Sequence, residues 1–203
     1  MKTYPIIGLG GTNGSGKDTV ANFLVDRFGY LFVSGSGLLR QEARRRDLPV
    51  EREVLRSISA EWRRQSGLGV IIDKAVEAYE SSSEQLSGLV IASLRNPGEA
   101  DRVHDFGGLV IWIDADAHIR YDRIQRNLVS RNRPEEDNKT FEEFLREEAD
   151  EMHRPADGDS ASLDGAAVKS RSDETLMNDS NDLTVLAEDL RAILIKHKLV
   201  KAE

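Results

Sequence analysis

The stretch Gly11-Thr-Asn-Gly-Ser-Gly-Lys17 has the G-x-x-x-x-G-K spacing of a phosphate-binding loop. Its glycines let backbone N–H groups point at phosphate oxygens, and the lysine can reach the β- and γ-phosphates of a nucleotide. The apolar run 5–9 predicts a strand before the loop, and apolar residues at helical spacing over 17–28 predict a helix after it. The predicted ATP-binding residues are therefore Gly11, Thr12, Asn13, Gly14, Ser15, Gly16, Lys17, Asp18 and Thr19.

Three residues are candidate ligands for the Mg²⁺ that accompanies ATP, and one departs from the usual pattern. Asp18 follows the lysine where a Ser or Thr normally supplies a hydroxyl for the metal, and Thr19 comes one residue later. Asp18 could orient Mg²⁺ directly or through water, or it could simply favour the positive end of the helix dipole. Asp114, which ends the apolar run 109–113, is a third candidate ligand or, alternatively, a helix-capping residue.

The composition restricts the class of protein. A chain of 203 residues with 39% hydrophobic and 32% charged residues indicates one globular domain, 1–203. The absence of cysteine excludes disulfides and thiolate metal sites and, with no signal or membrane segment, favours a cytoplasmic protein without membrane contact. The net charge of −8 argues against duplex nucleic acid as a partner. Arginines nevertheless concentrate in 40–46 and 120–133, which suits a small phosphate-bearing acceptor.

Strand and helix patterns alternate along the chain. The continuous apolar runs 89–92 and 109–113 are typical of strands buried on both faces of a parallel sheet, and 175–177 is a weaker strand. Helical patterns over 51–64 and 70–79 form an excursion between strands. Right-handed crossovers are expected to join the parallel strands. The segment 155–173 has no hydrophobic period and is predicted to be a loop. The sequence does not distinguish a monomer from a dimer.

These features together resemble the P-loop nucleotide kinases, meaning adenylate-kinase-like nucleoside monophosphate kinases and dephospho-CoA kinases. The resemblance spans nearly the whole chain and includes the phosphate loop, Ser34-Gly-Ser-Gly-Leu-Leu-Arg40, Val90-Ile-Ala-Ser-Leu-Arg-Asn-Pro97, Arg120-Tyr-Asp-Arg-Ile-Gln-Arg126 and 173–180. It implies a three-layer α/β P-loop NTPase fold with a five-stranded parallel sheet in the order 2-3-1-4-5. It also implies a helical acceptor-binding insertion at 36–85 and a short lid at 127–139.

The resemblance also implies roles for individual residues. It assigns acceptor binding to Ser34, Arg40 and Arg95, catalysis to Lys17, Arg95, Arg123, Arg131 and Arg133, and a position beside the ATP base to Asn178. Arginines on several segments agree with phosphoryl transfer, because that reaction depends on positioning and on stabilising charge spread over phosphate oxygens.

Two departures from the family pattern keep three functions open. Ala92 stands where the family usually has an aspartate for the Mg²⁺ shell, and no general base follows the second strand. An acceptor that is already a phosphate needs no strong base, so a nucleoside or deoxynucleoside monophosphate is the favoured acceptor. The alternatives are a hydroxyl acceptor, as in dephospho-CoA kinases, and a nucleotide-binding switch or slow ATPase with a degenerate metal site.

Overall fold

The structure is a computed structural model that describes residues 4–128, 138–180 and 182–201. Most of the predicted lid therefore lies outside the described residues, and so do Arg131 and Arg133.

Five parallel strands form the centre of the fold. They are β1 (Ile6–Gly11), β2 (Tyr30–Ser34), β3 (Gly88–Leu94), β4 (Leu109–Asp114) and β5 (Glu174–Met177). β1 pairs with β3 and β4, β2 pairs with β3, and β5 pairs with β4, which gives the order 2-3-1-4-5. This order confirms the expected fold class, and it brings the carboxyl ends of all five strands to one edge of the sheet.

Helices cover both faces of the sheet. Those within the described residues are α1 (Lys17–Phe28), α2 (Gly35–Arg45), α3 (Arg52–Ser66), α4 (Val70–Glu80), α5 (Pro97–Asp105), α6 (Ala117–Arg126), α7 (Phe141–Met152), α8 (Gly165–Arg171) and α9 (Leu183–Lys196). α1 and α9 bury Leu24 and Leu190 against one face of the sheet. α4, α5 and α8 bury Ile72, Val103 and Val168 against the other face, which completes three layers.

Two helices differ from the sequence-based expectation because capping side chains act locally. The glycine-rich composition of 34–37 predicts a turn, but α2 begins at Gly35. The Ser34 hydroxyl caps the helix by accepting a hydrogen bond from Gly37 N at 3.2 Å. Part of the predicted loop 155–173 is helix α8, where the Asp164 carboxylate accepts from Ala167 N at 3.0 Å. A short polar helix of this kind has too few apolar residues to show a period.

α2 and α3 share a small core of their own. Leu39 and Ala43 from α2 pack against Leu55 and Ile58 from α3. The arginines at positions 40, 52 and 56 lie on the same two helices and, together with Leu39 and Leu55, line one cavity. Within the described ranges, none of the helices has both the length and the apolar character needed to cross a lipid bilayer.

Candidate functional site

The phosphate-binding loop joins β1 to α1, and close packing requires its glycines. Gly14 has φ +81°, and a Cβ there would lie 2.7 Å from Arg120 O. Gly16 has φ +101°, and a Cβ would lie 2.4 Å from Asn178 Nδ2. A side chain at either position would be strained by the positive φ and would lie too close to these neighbouring atoms. The loop conformation therefore depends on glycine at both positions.

The side chains of Asn178 and Arg120 support the backbone of the loop. Asn178 Nδ2 donates to Ser15 O at 2.8 Å, and its backbone N donates to Asp114 O at 2.8 Å. Buried Arg120 donates from Nε to Ala115 O at 2.7 Å and from Nη1 to Asn13 O at 3.4 Å, and it pairs with Glu148. The sequence motif that contains Arg120 suggests a catalytic role for Arg123 and no role for Arg120. The contacts of Arg120 with the backbone of the loop are visible only in the three-dimensional structure.

Lys17 is buried at the end of the loop. Its ammonium donates to Thr12 O at 2.6 Å. Burial, with a smaller contribution from nearby Arg95, lowers its pKa to about 7, although Asp18 acts in the opposite direction. The ammonium form is therefore poorly stabilised in the free protein, and an anion placed beside it would favour that form.

A cavity of about 540 Å³ extends from the phosphate loop to α2 and α3. Among the described residues that line it are the cations Lys17, Arg40, Arg52, Arg56, Arg63, Arg95 and Arg123 and the anions Asp18 and Glu151. This excess of positive charge in a concave site favours an anionic ligand.

The structure brings some predicted site residues to the cavity and leaves others outside it. Asn13, Gly14, Gly16, Lys17, Asp18, Thr19, Arg40, Arg95 and Arg123 line the cavity. Gly11, Thr12, Ser15, Ser34, Asp114 and Asn178 are not among its lining residues. Ser34 caps α2, and Asn178 supports the loop, so both act on neighbouring backbone in this structure.

Arg40 and Arg123 enter the cavity from different helices. Arg40 Nη1 donates to the Ser36 hydroxyl at 2.9 Å within α2. Arg123 Nη2 donates to Ser180 O at 2.7 Å, and burial lowers the pKa of Arg123 while Asp179 opposes the shift. These contacts hold the Arg40 guanidinium beside the first turn of α2 and the Arg123 guanidinium beside the segment after β5.

Arg52, Arg56 and Arg95 converge on one carboxylate, and we call these three residues the arginine cluster. Arg52 Nη1 donates to Glu151 Oε1 at 2.7 Å, Arg95 Nη1 contacts Glu151 Oε2, and Arg56 Nη2 lies 3.7 Å from Glu151 Oε1. Burial raises the pKa of Glu151, but the three arginines and Lys17 outweigh it and the pKa is lowered overall. Glu151 carried no sequence signal, because one carboxylate in an acidic helix is indistinguishable from its neighbours.

A second buried carboxylate fixes the backbone at Arg95. Glu99 Oε2 accepts hydrogen bonds from Arg95 N at 2.7 Å and Asn96 N at 3.1 Å. Its other oxygen accepts from Arg63 Nη2 at 2.7 Å, and both side chains of this pair are 1% exposed. Two residues before Arg95, Ser93 has φ +76° and interrupts the pairing of β1 with β3. The end of β3 is therefore held in an unusual conformation beside the cavity.

The candidate metal ligands lie in two different environments. Asp18 and Thr19 are exposed at the cavity beside Lys17, and their oxygen atoms suit Mg²⁺, which commonly takes one or two protein ligands together with phosphates and water. Asp114 instead accepts from Lys169 Nζ at 2.6 Å and from Trp112 Nε1 at 3.3 Å. No group of three or more His, Asp or Glu residues arranged for a metal occurs in the described part of the chain.

Comparisons of sequence identify relatives along most of the chain. A family model described as an AAA domain matches residues 7–154. The UPF0200 protein PYRAB09750 of Pyrococcus abyssi is 30% identical over 155 residues, covering 73% of this chain and 78% of that protein. The UPF0200 protein PAE1629 of Pyrobaculum aerophilum is 25% identical over 193 residues, covering 94% and 97%.

Solved structures share the fold at low sequence identity. A shikimate kinase from Bacteroides thetaiotaomicron aligns with a TM-score of 0.61 at 12% identity, covering 97% of this chain and 99% of that one. TT1252 from Thermus thermophilus aligns at 0.57 with 21% identity, covering 96% and 98%. A gluconokinase from Sinorhizobium meliloti aligns at 0.53 with 14% identity, covering 97% and 95%. The chain therefore belongs to the AAA-domain and UPF0200 families, and it has the fold of the P-loop kinases that its sequence resembles.

Proposed function

We propose that the protein is a P-loop kinase that transfers the γ-phosphoryl group of ATP to a nucleoside or deoxynucleoside monophosphate. The observation that carries this proposal is the single cavity that joins the phosphate loop to the arginine-lined side of α2 and α3. Two phosphate-bearing ligands can meet in such a cavity, with donor and acceptor approaching from opposite ends.

The phosphate loop is the donor end. Its backbone N–H groups and Lys17 would bind the β- and γ-phosphates, and Asn178 would keep Ser15 and the loop in position. Asp18 and Thr19 would hold Mg²⁺, which when bound neutralises phosphate charge. Lys17 would exchange its contact with Thr12 O for the phosphates, and its pKa would rise as it gains an anionic partner.

The arginine-lined side is the acceptor end. Arg40 and Arg95 would orient the acceptor phosphate so that one of its oxygens attacks the γ-phosphorus in line with the bond to the β–γ bridging oxygen. The new P–O bond forms as the bridging bond breaks and its electron pair leaves with ADP. Arg123, with Arg131 or Arg133, would stabilise the equatorial oxygens. The acceptor phosphate is largely dianionic near pH 7, so no base is required.

A hydroxyl acceptor is the second candidate, and Glu151 is the observation in its favour. Glu151 is a carboxylate in the cavity, and a hydroxyl acceptor needs a group that removes its proton. However, the arginines that surround Glu151 lower its pKa and occupy both of its oxygens. A carboxylate held in this way is a weak base, so we favour the phosphate acceptor.

Release of ADP from Mg·ATP tests these candidates directly. The assay compares all ribo- and deoxyribonucleoside monophosphates, dephospho-CoA and a control without acceptor. Stimulation by one or a few monophosphates is the expected result, whereas stimulation by dephospho-CoA alone would establish a hydroxyl acceptor. Slow ADP release that no acceptor stimulates would identify the protein as a nucleotide switch or slow ATPase. Ala92, in place of the aspartate usual in the family, is consistent with that outcome.

A further inference from the structure

The arginine cluster holds more positive charge than Glu151 neutralises. Three guanidinium groups, two from α3 and one from the end of β3, share the carboxylate of Glu151. Glu147 also approaches Arg52, at 3.4 Å, but it is shared with Lys139. Glu53 pairs with Arg56 at 3.0 Å, yet its side chain is 83% exposed and solvent screens that pair.

The hydrogen-bonding capacity of the cluster also exceeds what a carboxylate offers. Glu151 bonds to Arg52 and Arg95, while Arg56 Nη2 lies too far away at 3.7 Å to donate to it. Arg56 Nη2 and Arg52 Nε are buried and have no hydrogen-bond partner within the described residues. Buried donors without partners are costly, and a group with more acceptor oxygens would satisfy them.

We propose that the arginine cluster is the binding site for the phosphate monoester of the acceptor, and that Glu151 occupies this site until the phosphate displaces it. A phosphate monoester has three terminal oxygens and two negative charges near neutral pH, against two oxygens and one charge for Glu151. Arg52 and Arg56 lie one helical turn apart on α3, so both can face the same ligand. This inference rests on the proposed function and names the residues that select its acceptor.

Displacement of Glu151 requires no change in the fold. Its side chain lies in the last turn of α7 and can leave the cluster by rotating about its own single bonds. The exchange makes phosphate binding a competition between an external dianion and an internal carboxylate. A neutral acceptor that displaced Glu151 would remove the carboxylate that the three arginines share and would supply no charge in its place, so the competition selects against neutral acceptors.

Calorimetric titration of inorganic phosphate tests the site. The protein is first saturated with Mg²⁺ and β,γ-imido-ATP, so that the phosphate loop is filled. Because Glu151→Gln removes the competing charge, it should tighten phosphate binding about tenfold, while the double variant Arg52→Gln/Arg56→Gln should weaken it by about tenfold or more. Glu142→Gln, an equal change of charge at an exposed position of the same helix, should bind phosphate like the natural protein.

The opposite results would overturn the inference. If Glu151→Gln binds phosphate as weakly as the natural protein, or more weakly, Glu151 is a structural partner of the arginines and not a competitor. If Glu151→Gln fails to fold, Glu151→Asp withdraws the carboxylate by one methylene and should tighten binding in the same direction by a smaller factor. Should the imido nucleotide itself not bind, the proposed function fails, and phosphate titration of the Lys17→Ala protein still tests the cluster separately.

Discussion

The phosphate loop and the arginine cluster line the same cavity and are suited to anions in different ways. The loop depends on backbone shape, since Gly14 and Gly16 have positive φ and no room for a side chain. The cluster depends on long side chains from separate elements, with Glu99 fixing the backbone at Arg95 and Glu151 pairing with the arginines in the free protein. A backbone site is encoded by a few adjacent residues, whereas a side-chain site depends on tertiary packing and on its counter-ions.

The largest effect is expected from breaking the buried support of the cluster. Glu99→Ala removes the partner of buried Arg63 and the acceptor for two backbone N–H groups, so it should lower the free energy of unfolding by about 3–5 kcal/mol. Urea unfolding measures the change. Glu61→Ala, which breaks the more exposed pair with Arg46, is the control and should lower the free energy of unfolding far less. Equal losses in the two variants would show that the acceptor end does not depend on its buried carboxylate.

At the loop end, Lys17→Ala should lower the rate of phosphoryl transfer about 10²–10³-fold, because it removes the side-chain charge nearest the transferred group. ADP release at saturating acceptor measures this loss, and thermal unfolding checks that the variant folds. Lys196→Ala, a substitution of an exposed lysine, should leave the rate unchanged. A Lys17→Ala enzyme with nearly normal turnover would contradict the role of the loop lysine.

The two ends also differ in how far the sequence predicts them. The loop, its flanking strand and helix, and the buried strands follow from local patterns, because each has its characteristic spacing within a dozen residues. The strand order came from family resemblance and is confirmed. Arg120 lay in a recognised motif but received no role there, and Glu151 gave no signal, since the partners of both residues lie far away in sequence. Asp114 stays a candidate metal ligand, and its contact with Lys169, 55 residues away, could not be predicted from the sequence.

Arg95→Ala should separate donor from acceptor binding. Arg95 belongs to the cluster and lines the same cavity as Lys17, and its loss should raise the KM of the acceptor about 10–100-fold by removing a charge-assisted contact to phosphate. The affinity for ATP should change by less than about threefold. Measuring the KM of the acceptor and the Kd of β,γ-imido-ATP in the same variant provides the comparison. Equal loss of both would assign Arg95 to the donor end instead.

The pH dependence of ATP binding should be the smallest effect, and it is specific to the loop. The pKa of Lys17 is about 7 in the free protein because of burial, with Arg95 and Arg120 lowering it and Asp18 and Glu151 raising it. Bound phosphates raise this pKa, so the complex holds more protons than the free protein above pH 7, and affinity falls as pH rises through that range. Between pH 7 and pH 8 the Kd of β,γ-imido-ATP should increase by up to about tenfold. Lys17→Arg keeps its charge throughout this range, so its Kd should be nearly flat, and an equal slope in both proteins would mean that another group titrates.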